Sequence, residues 1–149
     1  NQMGFTLLEV LITLVILAIG LLGLASLQTT SIKSNYSAYH RSQATFGAYD
    51  IIDRMRSNNN SIGNYLTSFM APTIAVAQAG CSITSGCSSA QMAQNDLFEW
   101  NTILVNTLPA GAGTITLAGS IYTITVNWDD DRNGAVNASD PNFQVSFQP

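Results

Sequence analysis

The feature that most constrains this chain is an almost uninterrupted apolar segment near its start, residues 5–27. Glu9 is the only charged residue in it. As an α-helix the segment would be about 34 Å long, which is enough to cross a hydrocarbon core of about 30 Å. A secretory signal peptide has a shorter apolar core, and a small-residue cleavage site follows it. The sequence therefore predicts a membrane anchor that stays on the mature chain.

The residues at the start of this segment form a motif that resembles a known processing signal. GFTLLEV, residues 4–10, resembles the prepilin signature of type IV pilins and of type II secretion pseudopilins. The resemblance implies cleavage between Gly4 and Phe5 by a prepilin peptidase and N-methylation of Phe5. It also implies an inner-membrane anchor with a periplasmic head, and later extraction into a filament. Residues 1–4 lack the Lys or Arg usual in a leader, so we interpret them as the remnant of a truncated one.

Glu9 is the residue in the anchor that needs a physical explanation. A carboxylate at the bilayer centre costs about 2.5–3.5 kcal/mol, which usually signals a partner. One interpretation is a carboxylate near the headgroups, stabilised by the positive end of the helix. The other, which the resemblance supports, pairs Glu9 with the Phe5 amine of a neighbouring subunit and so sets the axial register. We favour the intersubunit pair.

Composition excludes several functions. Only 9% of the residues are charged, the net charge is −4, and there are five basic residues. Nucleic-acid binding depends on Lys and Arg that neutralise phosphates, so no nucleic-acid partner is expected. His40 is the only histidine, and it lies on the predicted long helix, where a solvated or subunit-contact role is expected. Catalytic motifs are lacking, so the chain is predicted not to be an enzyme.

The anchor helix is predicted to continue to residue 56, which would make it about 78 Å long. Apolar residues recur at helical spacing and would share one face: Ile32, Tyr36, Tyr39, Ala44, Ala48, Ile51 and Met55. The predicted division is a leader remnant at 1–4, a membrane or filament-core half at 5–27, an amphipathic half at 28–57, and a head at 58–149 that includes the amphipathic half. Gly20 and Gly23 indicate either close subunit packing or the ordinary glycine content of membrane helices.

The middle of the chain contains a connector and a second helix. Cys81 and Cys87 are six residues apart, and in an exported protein this spacing predicts a structural disulfide. Ser88 and Gln91 match a capping box. An apolar stripe that includes Trp100 follows them, and Pro109 and Gly111 end the predicted helix. Trp100 is expected to lie in the core.

The C-terminal part has the alternation of β-strands. Apolar and polar residues alternate in three runs, near residues 115–117, 122–128 and 143–147, and Gly119 favours a hairpin between the first two. The predicted fold class is α+β and type IV pilin-like, with a long N-terminal helix packed on an antiparallel sheet of at least three strands. Short motifs around Trp100, Leu108-Pro109 and Trp128 also resemble minor pilins of the PilV kind.

Residues 129–140 match the spacing of a twelve-residue calcium loop, with oxygen-bearing side chains at odd positions and glycine at the sixth. The proposed Ca²⁺ ligands are Asp129, Asp131, Asn133, the carbonyl of Ala135, Asn137 and Asp140. The last ligand is shorter than the usual Glu, and the flanking segments are strands. The alternative is a polar hairpin that turns at Asn133-Gly134 with solvated aspartates.

Three functional classes fit these observations. The favoured class is a minor subunit of a type IV pilus that helps to start assembly, with adhesion as a further role. Its expected partners are other minor and major pilins, the prepilin peptidase and the inner-membrane assembly platform. The alternatives are a minor pseudopilin of a type II secretion system and a membrane-anchored periplasmic binding module that never polymerises.

Overall fold

A computed structural model describes residue 4 and residues 6–67, 75–83 and 86–149. Contacts divide the chain into two compact units, Asn1–Ala38 and Tyr39–Pro149. The elements, in chain order, are α1 (Leu7–Ser57), short 3₁₀ turns at Asn59–Tyr65 and Ala79–Ser82, α2 (Ser89–Thr107), β1 (Ala112–Ala118), β2 (Ile121–Asn127) and β3 (Asn142–Phe147). The leader residues 1–3, Phe5 and part of the connector lie outside the described residues.

The first unit contains the apolar part of α1. The backbone carbonyl and the side chain of Thr6 both accept from the Glu9 amide, which caps the first turn. The apolar side chains are exposed throughout: Leu7 is 86% exposed and Leu22 is 72% exposed. By length and composition, α1 contains a segment able to cross a membrane, and no part of that segment is buried within the chain. These side chains therefore require a nonpolar environment outside the chain itself.

The second unit is built on the later part of α1. Ala44, Ala48, Ile51 and Met55 are completely buried, which confirms this part of the predicted apolar face. The earlier residues of that predicted face are not buried within the chain, because Ile32, Tyr36 and Tyr39 are each more than half exposed. Burial on α1 begins only at His40, since the packed elements of the second unit cover the helix from there.

His40 corrects one expectation. It is 7% exposed, so the solvated role, one of the two expected for it, was wrong, while the subunit-contact role stays a prediction. Its ring lies edge-on to Tyr39 at a centroid distance of 5.7 Å. The two residues are adjacent on α1, yet one is buried and the other is exposed. Neighbouring positions on a helix point about 100° apart, which explains why position alone did not separate them.

Helix α2 begins with the predicted capping box. The Ser88 side chain accepts from the Gln91 amide, and the Gln91 side chain accepts from the Ser88 amide. Trp100 is completely buried, as predicted, and its indole N–H donates to the Gly47 carbonyl at 2.8 Å. Because Gly47 lies on α1, this hydrogen bond joins the two helices across the core. It requires close approach, since a Cβ on Gly47 would lie 2.8 Å from Leu104 Cδ2.

The three strands form one antiparallel sheet in the order β1-β2-β3. Gly119, with φ +62°, forms the predicted hairpin between β1 and β2. Ile115, Ile124 and Val126 are fully buried and join the α1 and α2 side chains in one hydrophobic core. The predicted fold class is therefore confirmed: a long N-terminal helix packed on a three-stranded antiparallel sheet. The chain between β2 and β3 contains the acidic segment 129–140.

Candidate functional site

Glu9 lies in the exposed apolar part of α1, in the first turn of the helix. Among the described residues, its carboxylate has no hydrogen-bond or ion-pair partner within the chain. Phe5 lies outside the described residues. The structure therefore describes neither the Phe5 amine, which is the proposed partner of Glu9, nor the bond between Gly4 and Phe5 that would be cleaved. An exposed acidic side chain among exposed apolar ones is compatible with a partner supplied by another molecule.

The segment 129–140, here called the acidic loop, is held together by side-chain acceptors and backbone donors. Asp129 is 4% exposed, so the solvated aspartate of the hairpin alternative was wrong at this position. Its carboxylate accepts from the Asn133 amide at 3.1 Å and from the Gly134 amide at 2.8 Å. Burial of Asp129 opposes ionisation, but these hydrogen bonds outweigh it and lower the pKa of the carboxyl group. Asp129 is therefore an ionised anchor for the turn.

The other proposed ligands also make hydrogen bonds inside the acidic loop. Asp131 accepts from the amide and from the side-chain Nδ2 of Asn133. Asp140 accepts from the Asp130 amide at 3.1 Å and from the Asn137 amide at 2.8 Å, which joins the two ends of the loop. The Ala135 carbonyl accepts from Asn137 Nδ2 at 3.3 Å. The sequence spacing thus yields a loop in which the carboxylates of Asp129, Asp131 and Asp140 accept hydrogen bonds from the loop's own backbone amides.

Three of the proposed ligands come close enough to share a cation. One carboxylate oxygen from each of Asp129, Asp131 and Asp140 lies within 4.8 Å of the others. Two oxygens on one Ca²⁺ at 2.3–2.6 Å can be up to about 5.2 Å apart, so the three carboxylates fit one ion. The loop holds four aspartates and one arginine, Arg132. A divalent cation would reduce the repulsion among these aspartates.

A charged network that sequence analysis missed joins α1 to α2. Arg54 donates to Asp50 at 3.0 Å, to Asp96 at 3.1 Å and to Glu99 at 2.8 Å. The Tyr65 hydroxyl donates to the other oxygen of Asp96. Burial, followed by the hydrogen bond to Asp96, raises the pKa of Tyr65, so this hydroxyl stays protonated and can donate. The hydrogen bond from Arg54 lowers the pKa of Glu99.

The sequence held one signal for this network. Asp96 is 8% exposed and lies beside the apolar stripe of α2, and a buried carboxylate generally requires a cation or donors. An open cavity of about 500 Å³ adjoins the network. The residues that line it are mostly of polar or charged types: Asp50, Asp53, Arg54, Ser57, Asn58, Cys87, Ser89, Met92 and Asp96. Carboxylates of the network already pair with the Arg54 guanidinium, so we assign the network to holding the helices together.

Cys81 and Cys87 form a disulfide, in agreement with the pairing expected from their spacing. The bridge ends one residue before Ser88, the N-cap of α2. On the other side of this helix start, Asn58 Nδ2 donates to the Ser89 carbonyl at 2.7 Å. The start of α2 is thus held by a covalent bridge and by the end of α1, which is a structural role.

Comparison with protein families gives two matches that follow one another along the chain. Residues 1–25 match the model of the prokaryotic N-terminal methylation motif. Residues 26–98 match the model described as type IV pilin Tt1218. No curated protein and no solved structure matches the chain. The acidic loop and all three strands lie beyond the matched residues.

Proposed function

On the premise that the matched family models show a type IV pilin with an N-terminal methylation motif, we propose a function in pilus assembly. The chain would be a minor subunit of a type IV pilus that helps to start pilus assembly. The anchor would lie in the inner membrane with the head in the periplasm before assembly, and in the filament afterwards. The family is structural and not enzymatic, so the activity proposed is assembly with other pilins.

The observation that carries this proposal is the exposed apolar half of α1 with Glu9 as its one charge. A membrane-only anchor gains nothing from a carboxylate in an apolar segment, which carries an insertion cost. A filament subunit gains a buried, charge-assisted hydrogen bond to a neighbouring amine. The exposed side chains of residues 7–27 then have two successive environments, first lipid and afterwards the helices of neighbouring subunits.

Deletion of the gene tests the assignment to a pilus. The proposal predicts fewer surface pili, counted by electron microscopy, with normal secretion of folded proteins. Complementation with the intact chain should restore the count. Normal pili together with lost protein secretion would instead support a pseudopilin, the alternative that the same N-terminal motif allows.

Glu9→Ala tests the proposed register pair. The variant should insert into the membrane as wild type does, because a charge is removed from an apolar segment. It should be depleted from sheared filaments, because the Phe5 amine of a neighbour loses its partner. Leu8→Ala is the matched control, since Leu8 is 67% exposed and its loss leaves the carboxylate in place. Wild-type incorporation of Glu9→Ala would contradict the register pair.

We also propose that the acidic loop binds one Ca²⁺ through Asp129, Asp131 and Asp140. The support is the 4.8 Å spread of their carboxylate oxygens. Asn133, the Ala135 carbonyl and Asn137 would complete the coordination after giving up hydrogen bonds inside the loop. The ion would hold the two ends of the loop together between β2 and β3, without any part in catalysis.

Thermal melting of the full chain in detergent tests this calcium site. At a calcium concentration one hundred times the dissociation constant, binding should stabilise the folded state by about 2.7 kcal/mol relative to chelator. Asp131→Ala should abolish the difference. Asp53→Ala is the control, because it removes an aspartate from α1 whose side chain is 77% exposed. Identical melting in calcium and in chelator would show that the loop is a hairpin that binds no calcium.

A further inference from the structure

The acidic loop contains an Asn-Gly pair in an unusual backbone conformation. Asn133 and Gly134 are exposed, and Gly134 has φ +97°. A glycine after asparagine leaves the backbone nitrogen open to approach, because no side chain hinders it. We propose that Asn133 is a spontaneous deamidation site and that the Asp129 carboxylate sets its rate by holding the Gly134 amide.

The reaction needs only water. The Gly134 nitrogen attacks Cγ of Asn133, a C–N bond forms, the nitrogen loses its proton, and the side-chain nitrogen leaves as ammonia. The product is a five-membered succinimide. Water then opens either of its two C–N bonds and leaves aspartate or isoaspartate at position 133. No oxidant, reductant or enzyme takes part.

Hydrogen bonds hold both reacting groups away from this path. The Gly134 N–H donates to Asp129 Oδ2 at 2.8 Å, so its proton is bound on the side of the buried carboxylate. Asn133 Nδ2 donates to Asp131 at 3.0 Å, and Asn133 Oδ1 accepts from the Ala135 amide at 3.1 Å. Rotation of the Asn133 side chain onto the Gly134 nitrogen would break the last two bonds. The attack itself would also break the first.

Asp129 is the central restraint because it is the buried member. It accepts from the amides of both Asn133 and Gly134, and so fixes the peptide unit that would have to rotate. Asp131 is exposed, and its carboxylate accepts from the Asn133 amide and side chain but from no Gly134 group among the described residues. Loss of Asp129 should therefore accelerate the reaction more than loss of Asp131. Deamidation would add a negative charge to a loop that already has four aspartates and would change its affinity for cations.

The test is a time course by peptide mass spectrometry on the full chain in detergent, in neutral buffer with chelator. Wild type in urea gives the rate of the unrestrained site, and Asn133→Gln confirms the assignment of the modified peptide. The folded wild type should deamidate at Asn133 at least about tenfold more slowly than the unfolded chain, equivalent to ~1.4 kcal/mol. Asp129→Ala should remove most of that protection, and Asp131→Ala should remove less. Asn60, an exposed asparagine in the 3₁₀ turn at Asn59–Tyr65, should respond to neither change.

Three results would overturn the proposal. Equal rates in the folded and unfolded wild type would show that the hydrogen bonds do not restrain the site. Slower deamidation in Asp129→Ala would show that the carboxylate acts as a base and not as a restraint, and an unchanged rate would show that it does neither. If Asp129→Ala does not fold, Asp129→Asn replaces it: an asparagine keeps the shape but loses the charge, so an intermediate acceleration is expected.

Discussion

Replacing Gly113 with alanine should destabilise the head strongly, because β1 passes directly over the Trp100 ring. A Cβ at this position would lie 2.2 Å from Trp100 Cη2, 2.7 Å from Cζ2 and 2.8 Å from Leu104 Cδ1. The indole cannot retreat freely, since it is completely buried and its N–H is bonded to the Gly47 carbonyl. Relief of the clash must therefore shift the strand or stretch the link between α2 and α1.

The size of the effect follows from these contacts. Overpacking in a core costs about 1–3 kcal/mol, and a weakened buried hydrogen bond adds about 0.5–1.5 kcal/mol. Alanine recovers about 0.4–1 kcal/mol because it restricts the unfolded chain more than glycine does. The net expectation is a loss of about 2–3 kcal/mol, or a melting temperature lower by about 8–12 °C for a unit of this size.

Thermal and urea unfolding of the full chain in detergent, followed by circular dichroism, measures this loss. Gly63→Ala is the matched control, because no heavy atom lies within 4 Å of its added Cβ. It should change stability by less than about 0.5 kcal/mol. In a Trp100→Phe background, the smaller ring should reduce the cost of Gly113→Ala, which a double-mutant cycle would detect. Equal stability of Gly113→Ala and Gly63→Ala would refute this account of the core.

Three further predictions concern the head. Cys81→Ser with Cys87→Ser should lower the free energy of unfolding by about 2.4 kcal/mol in the chain-entropy model, measured by urea unfolding against the oxidised wild type. Asp96→Ala should cost about 2 kcal/mol, because the Tyr65 hydroxyl loses its acceptor while Arg54 keeps Asp50 and Glu99. The folded-state pKa of Glu99 lies below its usual 4.5, so its stabilising effect is present above that pH and is lost as the pH falls below it. As the pH is lowered, the melting temperature of the wild type should therefore fall more steeply than the melting temperature of Glu99→Gln.

The sequence patterns correctly predicted the features that depend on short stretches of the chain. The capping box at Ser88 and the hairpin at Gly119 appear in the structure because each depends on residues adjacent in sequence. The burial of Trp100 was predicted because Trp100 lies on an apolar stripe at helical spacing, although its partners are distant in sequence. The exposure of Tyr39 and the burial of His40 depend instead on how the rest of the second unit packs on α1, and no pattern within the helix encodes that.

The same distinction applies to the candidate sites. The acidic loop was predictable because its oxygen atoms come from one continuous segment with a known spacing. The Arg54 network was not predictable from the sequence. Asp96 is forty-two residues further along the chain and contacts Arg54 only when α1 and α2 pack together. The sequence places Asp96 beside an apolar stripe, but its burial and its partner appear only in the folded structure.

The most direct test of a pilus subunit is the N-terminal peptide of this chain in filaments sheared from intact cells, analysed by mass spectrometry. The proposal predicts a chain that begins at Phe5 and carries one methyl group on its amine, recovered with the major pilin. Glu9→Ala should leave this processed chain in the membrane fraction and deplete it from the filaments. A chain found only in membranes, with the bond between Gly4 and Phe5 intact, would contradict the proposal.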